Sequence, residues 1–278
     1  MRTPTGVYVS QSFACPSVVA GLDDNVEENR AHLEAVLAQF PTGASDLPEG
    51  DFAVRLTQKT QISWSSYLLL EERLLQAYDC DRPIASLLSM ANTILLCETI
   101  AKQEEIESWP DFPSTHFHLE FEIELLHSYL IAVLSIMERE NDLSARVELQ
   151  DLLAQGHSLH SHLIDAPLPP VQTALARTAG DPLNPVLQRY FHNTVRGKLL
   201  LAPTVVSRLL AVAIGYALLE LYLQGLCSSL ACERQNKKAL ARAFEIVEAD
   251  AISHSEDLFK FFLSFEETLS HFLTLEVQ

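Results

Sequence analysis

The longest apolar run in the chain is Leu209–Leu219, eleven residues closed by Arg208 and Glu220. A bilayer span needs about 20 such residues. The run therefore reads as a buried core helix, with no transmembrane segment in the chain. The helical pattern extends over 203–231. A buried helix of that length needs neighbours, and the rest of the chain supplies them.

Helical starts and stops recur along the sequence. Asp24 or Asn25 can cap a helix over 26–40, which Pro41 and Gly43 end. Residues 41–62 read as a linker, with Pro41, Gly43, Pro48 and Gly50. Further helices are expected from Ser63 to Tyr78, from Ile84 to Lys102 behind Asp81 and Pro83, and from Ser114 or Thr115 to Glu138. Another starts at Asp142 and ends near Gly156. The stretch 166–185, with five prolines, reads as a connection enclosing a short helix. Helices over 186–200, 203–231, 236–251 and 256–273 complete the set. The fold class is thus all-α: a multi-helix bundle of about eight helices with no sheet. Residues 1–62 form an N-terminal segment with one or two short helices and a linker, and 63–278 form the helical bundle.

Composition supports this. Of 278 residues, 48% are hydrophobic, which is ample for a sizeable core. Only 9 are glycine, well under the roughly 7% average, so positions for turns at positive φ are few. The net charge of −18 repels phosphate backbones and anionic lipid surfaces. Nucleic acid and membrane are therefore not expected as partners, whereas a basic protein or peptide is compatible. The five cysteines (Cys15, Cys80, Cys97, Cys227, Cys232) include no C-x-x-C pair. With no signal peptide read before them, they are expected as reduced thiols of a cytoplasmic protein.

Three constellations have the composition of a site. Glu124-Leu-Leu-His127 has the Glu-x-x-His spacing that puts both side chains on one helix face, as in di-iron bundles. That chemistry needs a second such motif, and none occurs, so no metal site is assigned. His116, His118, His157, His160 and His162 form two clusters, read as histidine-bearing loops. Residues 103–138 carry no Lys or Arg, and their acids are interleaved with aromatics. Glu104, Glu105, Glu107, Trp109, Phe112 and Glu120 form the candidate substrate-binding patch. Acids beside aromatics hold cations, a substrate lysine included, through charge and cation–π attraction. A solvated acidic face over core aromatics is the competing reading. No Gly-rich nucleotide loop and no nucleophile elbow occurs.

The segment Ser10-Gln-Ser-Phe-Ala-Cys15-Pro16-Ser17 resembles the L-S-x-x-C-P-E stretch of the flagellin lysine-N-methylase family. Further on, Phe191-His-Asn-Thr-Val, Leu209–Leu223 with Tyr216-Ala-Leu-Leu-Glu-Leu, and Ser253-His-Ser before Leu258-Phe-Lys-Phe-Phe follow that family's order and spacing. The resemblance spans about Ser10 to Leu263. It implies methyl transfer from S-adenosylmethionine to lysine ε-amines of flagellin, and an iron–sulfur cluster held by a cysteine-rich N-terminal region. This chain lacks that region. Only Cys15 falls at a matching cysteine, and Ser17 stands where the family has Glu. One thiolate cannot hold a four-iron cluster, so no cluster is expected in this chain alone.

Methyl transfer needs the amine held in line with the methyl group and a group to remove its proton. Tyr129 and Glu122 are of suitable type. Three readings stay open: a methyltransferase relative, its substrate-recognising helical body without the chemistry, and a non-catalytic helical protein-binding module or adaptor.

Overall fold

The computed structural model describes residues 2–3, 6–7, 13, 18–19, 52–100, 109, 119–138, 159–175, 180–201, 203–252 and 256–276. Among these are eight α-helices: α1 (Trp64–Ala77), α2 (Pro83–Ile100), α3 (Leu119–Met137), α4 (Val171–Leu175), α5 (Asn184–Arg196), α6 (Val205–Leu230), α7 (Lys237–Ile246) and α8 (Glu256–Glu276). A 3-10 turn, Leu199–Leu201, precedes α6, and a π-helical turn, Val247–Ile252, follows α7. The expected helices over 26–40 and from Asp142 lie outside the described residues.

The expectation of no sheet is corrected. Three two-stranded antiparallel pairs occur: β1 (Arg2–Thr3) with β2 (Gly6–Val7), β3 (Ala53–Arg55) with β4 (Gln61–Ser63), and β5 (His160–Ser161) with β6 (Ala166–Pro167). Each strand is two or three residues long, so the alternation that marks a strand has no room to show. In β3 and β4 only the middle residue is buried, and those two, Val54 and Ile62, face each other across the pair.

The β3–β4 hairpin replaces the end of the expected linker, and side chains hold its turn to the helices. Glu98 of α2 accepts hydrogen bonds from Thr57 Oγ1 (2.8 Å) and Thr60 Oγ1 (2.5 Å). Glu266 of α8 accepts from the Gln58 amide at 2.6 Å. The Leu56 carbonyl accepts from the Val206 amide at 3.1 Å.

Helix α6 is the axis of the molecule. Every residue from Val205 to Leu223 is buried, and α2, α8 and α7 make its largest contacts. The helix is long and apolar enough to cross a membrane by length and composition, but the qualifying window is 94% buried inside the protein. Fully burying one Leu or Val is worth roughly 1.5–3 kcal/mol, so this helix organises the core.

Its start is a reciprocal cap: Thr204 Oγ1 accepts from the Ser207 amide (3.0 Å), and Ser207 Oγ accepts from the Thr204 amide (3.2 Å). Its polar residues are satisfied inside the core. Arg208 Nε donates to the Leu199 carbonyl at 3.1 Å, and Glu220 accepts from Arg234 at 2.5 Å. Tyr216 donates to the Leu187 carbonyl (2.8 Å) and Tyr222 to Glu138 (3.0 Å). Gly225 lets β6 approach: a Cβ there would stand 2.7 Å from Ile164 Cδ1 and 3.1 Å from the Pro167 carbonyl oxygen.

Candidate functional site

A cleft of about 750 Å3 opens between three helices. The start of α2 supplies Arg82, Pro83, Ile84 and Ala85, α3 supplies Ile123, Glu124, His127 and Ser128, and α4 supplies Gln172 and Leu175. Local chemistry explains the approach of each wall. Asp79 accepts from the Asp81 amide (2.9 Å) and pairs with Arg82 Nε (3.1 Å), which fixes the turn before Pro83. On α3, Leu126 and Leu130 are buried, which turns Glu124 and His127 toward the outer side of the helix. Pro170 leads into α4, and its carbonyl accepts from Thr173 Oγ1 at 2.7 Å.

The cleft is an apolar trough with a few polar groups, the composition of a ligand site. Glu124 is exposed. The His127 ring is half-buried, and its buried Nε2 finds no hydrogen-bond partner among the described residues. Desolvation by burial holds its pKa below the usual 6.5, so the ring is neutral at pH 7. A neutral imidazole and a carboxylate side by side can accept from a cation without repelling it. Among the described residues, the one cation of the lining, Arg82, is ion-paired with Asp79.

Of the candidate patch read from the sequence, Trp109 is the residue whose side chain is described, and it does not line this cleft. Trp109 is buried, and its indole N–H donates to the Ser66 carbonyl at 3.1 Å. It pins the segment to α1 and is not at the surface. Glu104, Glu105, Glu107 and Phe112 lie outside the described residues, as does the side chain of Glu120 on α3. Cys15, the side chain of Glu122, and His116, His118 and His157 lie outside them too. Tyr129 stacks on Phe265, with ring centroids 4.0 Å apart, and its hydroxyl is 3.0 Å from Thr268 Oγ1. It ties α3 to α8. His160 and His162 are exposed around β5, and His160 Nε2 is 3.1 Å from Asp165 Oδ1.

Two groupings were missed by sequence reasoning. Lys198 is buried against Glu71, with its ammonium 5.5 Å from the Trp64 ring centroid and 5.6 Å from that of Tyr67. Glu138 accepts from the His162 amide (2.7 Å), from Tyr222 and from Ser161, joining the end of α3 to β5 and α6. Both are structural ties: Lys198 meets Glu71 of α1, and Glu138 meets Ser161 of β5, His162 and Tyr222 of α6. Their partners are far apart in sequence, so no local signal marks them.

Among the described residues, no group of three or more His, Cys, Asp or Glu is placed to hold a metal ion. Cys80, Cys97, Cys227 and Cys232 are free thiols and do not gather into a cluster site. No family model, no curated protein and no solved structure matches the chain.

Proposed function

We propose that the protein binds a lysine side chain of a protein partner in the cleft between α2, α3 and α4. One observation carries this: Glu124 and the neutral, half-buried His127 stand one helical turn apart on the wall of a largely apolar cleft. The four methylenes of a lysine match the apolar walls, formed by Ile84, Ala85, Ile123 and Leu175. The ammonium meets a carboxylate and an imidazole acceptor. The net charge of −18 adds a long-range attraction for a basic partner.

Protein-lysine N-methyltransfer is the second reading, on the resemblance to flagellin lysine methylases. The size of the cleft favours it: about 750 Å3 lies within the roughly 300–1,000 Å3 of sites for drug-sized ligands, so a lysine does not fill it. S-adenosylmethionine would supply an electrophilic methyl group. In this reading the lysine ammonium loses its proton to His127 or Glu124. The amine lone pair then bonds to the methyl carbon as the carbon–sulfur bond breaks, and S-adenosylhomocysteine leaves.

Calorimetric titration separates the readings. A lysine-bearing peptide of flagellin type and S-adenosylmethionine are titrated separately into the whole chain. Saturable peptide binding, weakened at least about tenfold in Glu124→Gln, is the outcome expected for lysine recognition. Peptide affinity unchanged by that substitution sinks it. Micromolar heat with S-adenosylmethionine, together with a mass gain of one methyl group on the peptide, is expected for the enzyme. No heat and no thermal shift with that compound removes the enzymatic reading and leaves the binding module.

A further inference from the structure

The C-terminal end of α6 places two thiols together. Ala231 follows the helix in the left-handed conformation at φ 47°. The chain reverses there, and the Cys232 amide bonds back to the Cys227 carbonyl at 3.0 Å. This six-to-one bond is the mark of a Schellman ending, in which the residue after the left-handed position touches the residue five before it. Here both contact positions are cysteine, and the Cys232 thiol is near enough to raise the pKa of Cys227. That backbone bond keeps the two Cα atoms close to the separation that a disulfide requires, roughly 4.4–6.8 Å. Cys227 is buried and donates from Sγ to the Glu233 carbonyl at 3.3 Å. Cys232 is half-buried, and Ser228 to Ala231 beside it are exposed.

We propose that Cys227 and Cys232 are a redox-responsive pair that closes to an intramolecular disulfide when a peroxide reaches Cys232, and reopens with a dithiol. The less buried partner reacts first. Hydrogen peroxide transfers one oxygen to the Cys232 sulfur, giving a sulfenic acid and one water. The Cys227 sulfur then attacks that sulfur, the S–O bond breaks, and the oxygen leaves as a second water with the Cys227 proton. In sum, two thiols and one peroxide give one disulfide and two waters. Burial pushes the Cys227 thiol up to about 11, so it is not the sulfur that meets the oxidant. Closure removes the Sγ–H that holds the Glu233 carbonyl, so the next segment loses one tether. That segment includes Arg234, which bridges Glu220 (2.5 Å) and Asp181 (3.3 Å).

The test is peptide mapping of the whole chain. Between Arg208 and Arg234 there is no Lys or Arg, so one tryptic peptide, 209–234, holds both cysteines. The protein is treated with stoichiometric hydrogen peroxide, denatured, alkylated with iodoacetamide and digested. The peptide is expected to be unalkylated and lighter by two hydrogens. Dithiothreitol is expected to restore both alkylatable thiols. Cys232→Ser is expected to abolish the two-hydrogen loss, and Cys97→Ser to leave it intact. Three results each overturn the proposal: the peptide alkylated at both positions while other cysteines oxidise, Cys232 driven to sulfinic acid with Cys227 still alkylatable, or a disulfide that joins two chains.

Discussion

The Lys198 ammonium lies against the Glu71 carboxylate with both side chains buried, under the rings of Trp64 and Tyr67. Burial outweighs the lysine and leaves the Glu71 pKa above the usual carboxylate value of 4.5. The pair joins α1 to the turn after α5, where Lys198 itself has a positive φ of 61°.

Removing the lysine leaves a lone charge in the core. Lys198→Met is expected to cost about 3–5 kcal/mol at neutral pH. The loss should shrink on acidification, because burial raises the Glu71 pKa and the carboxylate takes up a proton more readily than in water. Urea denaturation at pH 7.5 and pH 5.0 checks both parts. The double variant with Glu71→Gln should recover most of the loss at pH 7.5.

At Gly225 two effects of opposite sign compete. Alanine in a helix interior gains about 1 kcal/mol over glycine. Its Cβ would meet Ile164, the Pro167 carbonyl and Leu168 at 2.7, 3.1 and 3.2 Å, and such crowding costs about 1–3 kcal/mol. The contact with Pro167 is to backbone and yields least, so crowding is expected to win. Gly225→Ala should lower the melting temperature, as differential scanning calorimetry would show.

Thr204 serves two structures at once. It caps α6 through the Ser207 amide, and it donates to Glu266 Oε2 at 2.5 Å. Losing a cap costs about 0.5–2 kcal/mol, and withdrawing a donor from a buried carboxylate about 1–3 kcal/mol more. Thr204→Ala is expected to fall near the sum, while Thr204→Ser keeps the hydroxyl and most of the stability. Equal losses for the two variants in chemical denaturation would contradict this assignment.

Two sites differ in how far the sequence discloses them. Helix α1 begins at Trp64 because Ser63 accepts from the Ser66 amide, a signal written in adjacent residues. Helix α6 is equally legible, as an apolar run closed by Arg208 and Glu220. The cleft is not. Its walls come from three helices, and only the Glu124–His127 spacing is local enough to see. Trp109 looked like part of a ligand surface, since the sequence shows a residue's type and not which way its segment turns. The Cys227–Cys232 contact was hidden for another reason. It depends on an alanine in a left-handed conformation that alanine rarely adopts.

His127 gives the cleft a pH signature. Its folded pKa lies below 6.5 through desolvation, so the unfolded chain binds the proton more readily. The stability it contributes is fully present above pH 6.5 and is lost as pH falls toward the folded value. The stability difference between the parent and His127→Gln should therefore narrow as pH falls from 7.5 to 5.5 in urea titrations. A difference that stays constant would show that the ring titrates as it does in water.

The burial of α6 on every side has a consequence for biosynthesis. Its partners α2, α3 and α4 leave the ribosome before it, and α7 and α8 leave after it. Until the last of them emerges, the nascent chain carries an unmatched apolar rod of about five turns. The molecule can close only late, and a chain truncated within α8 is left with an open seam along its axis.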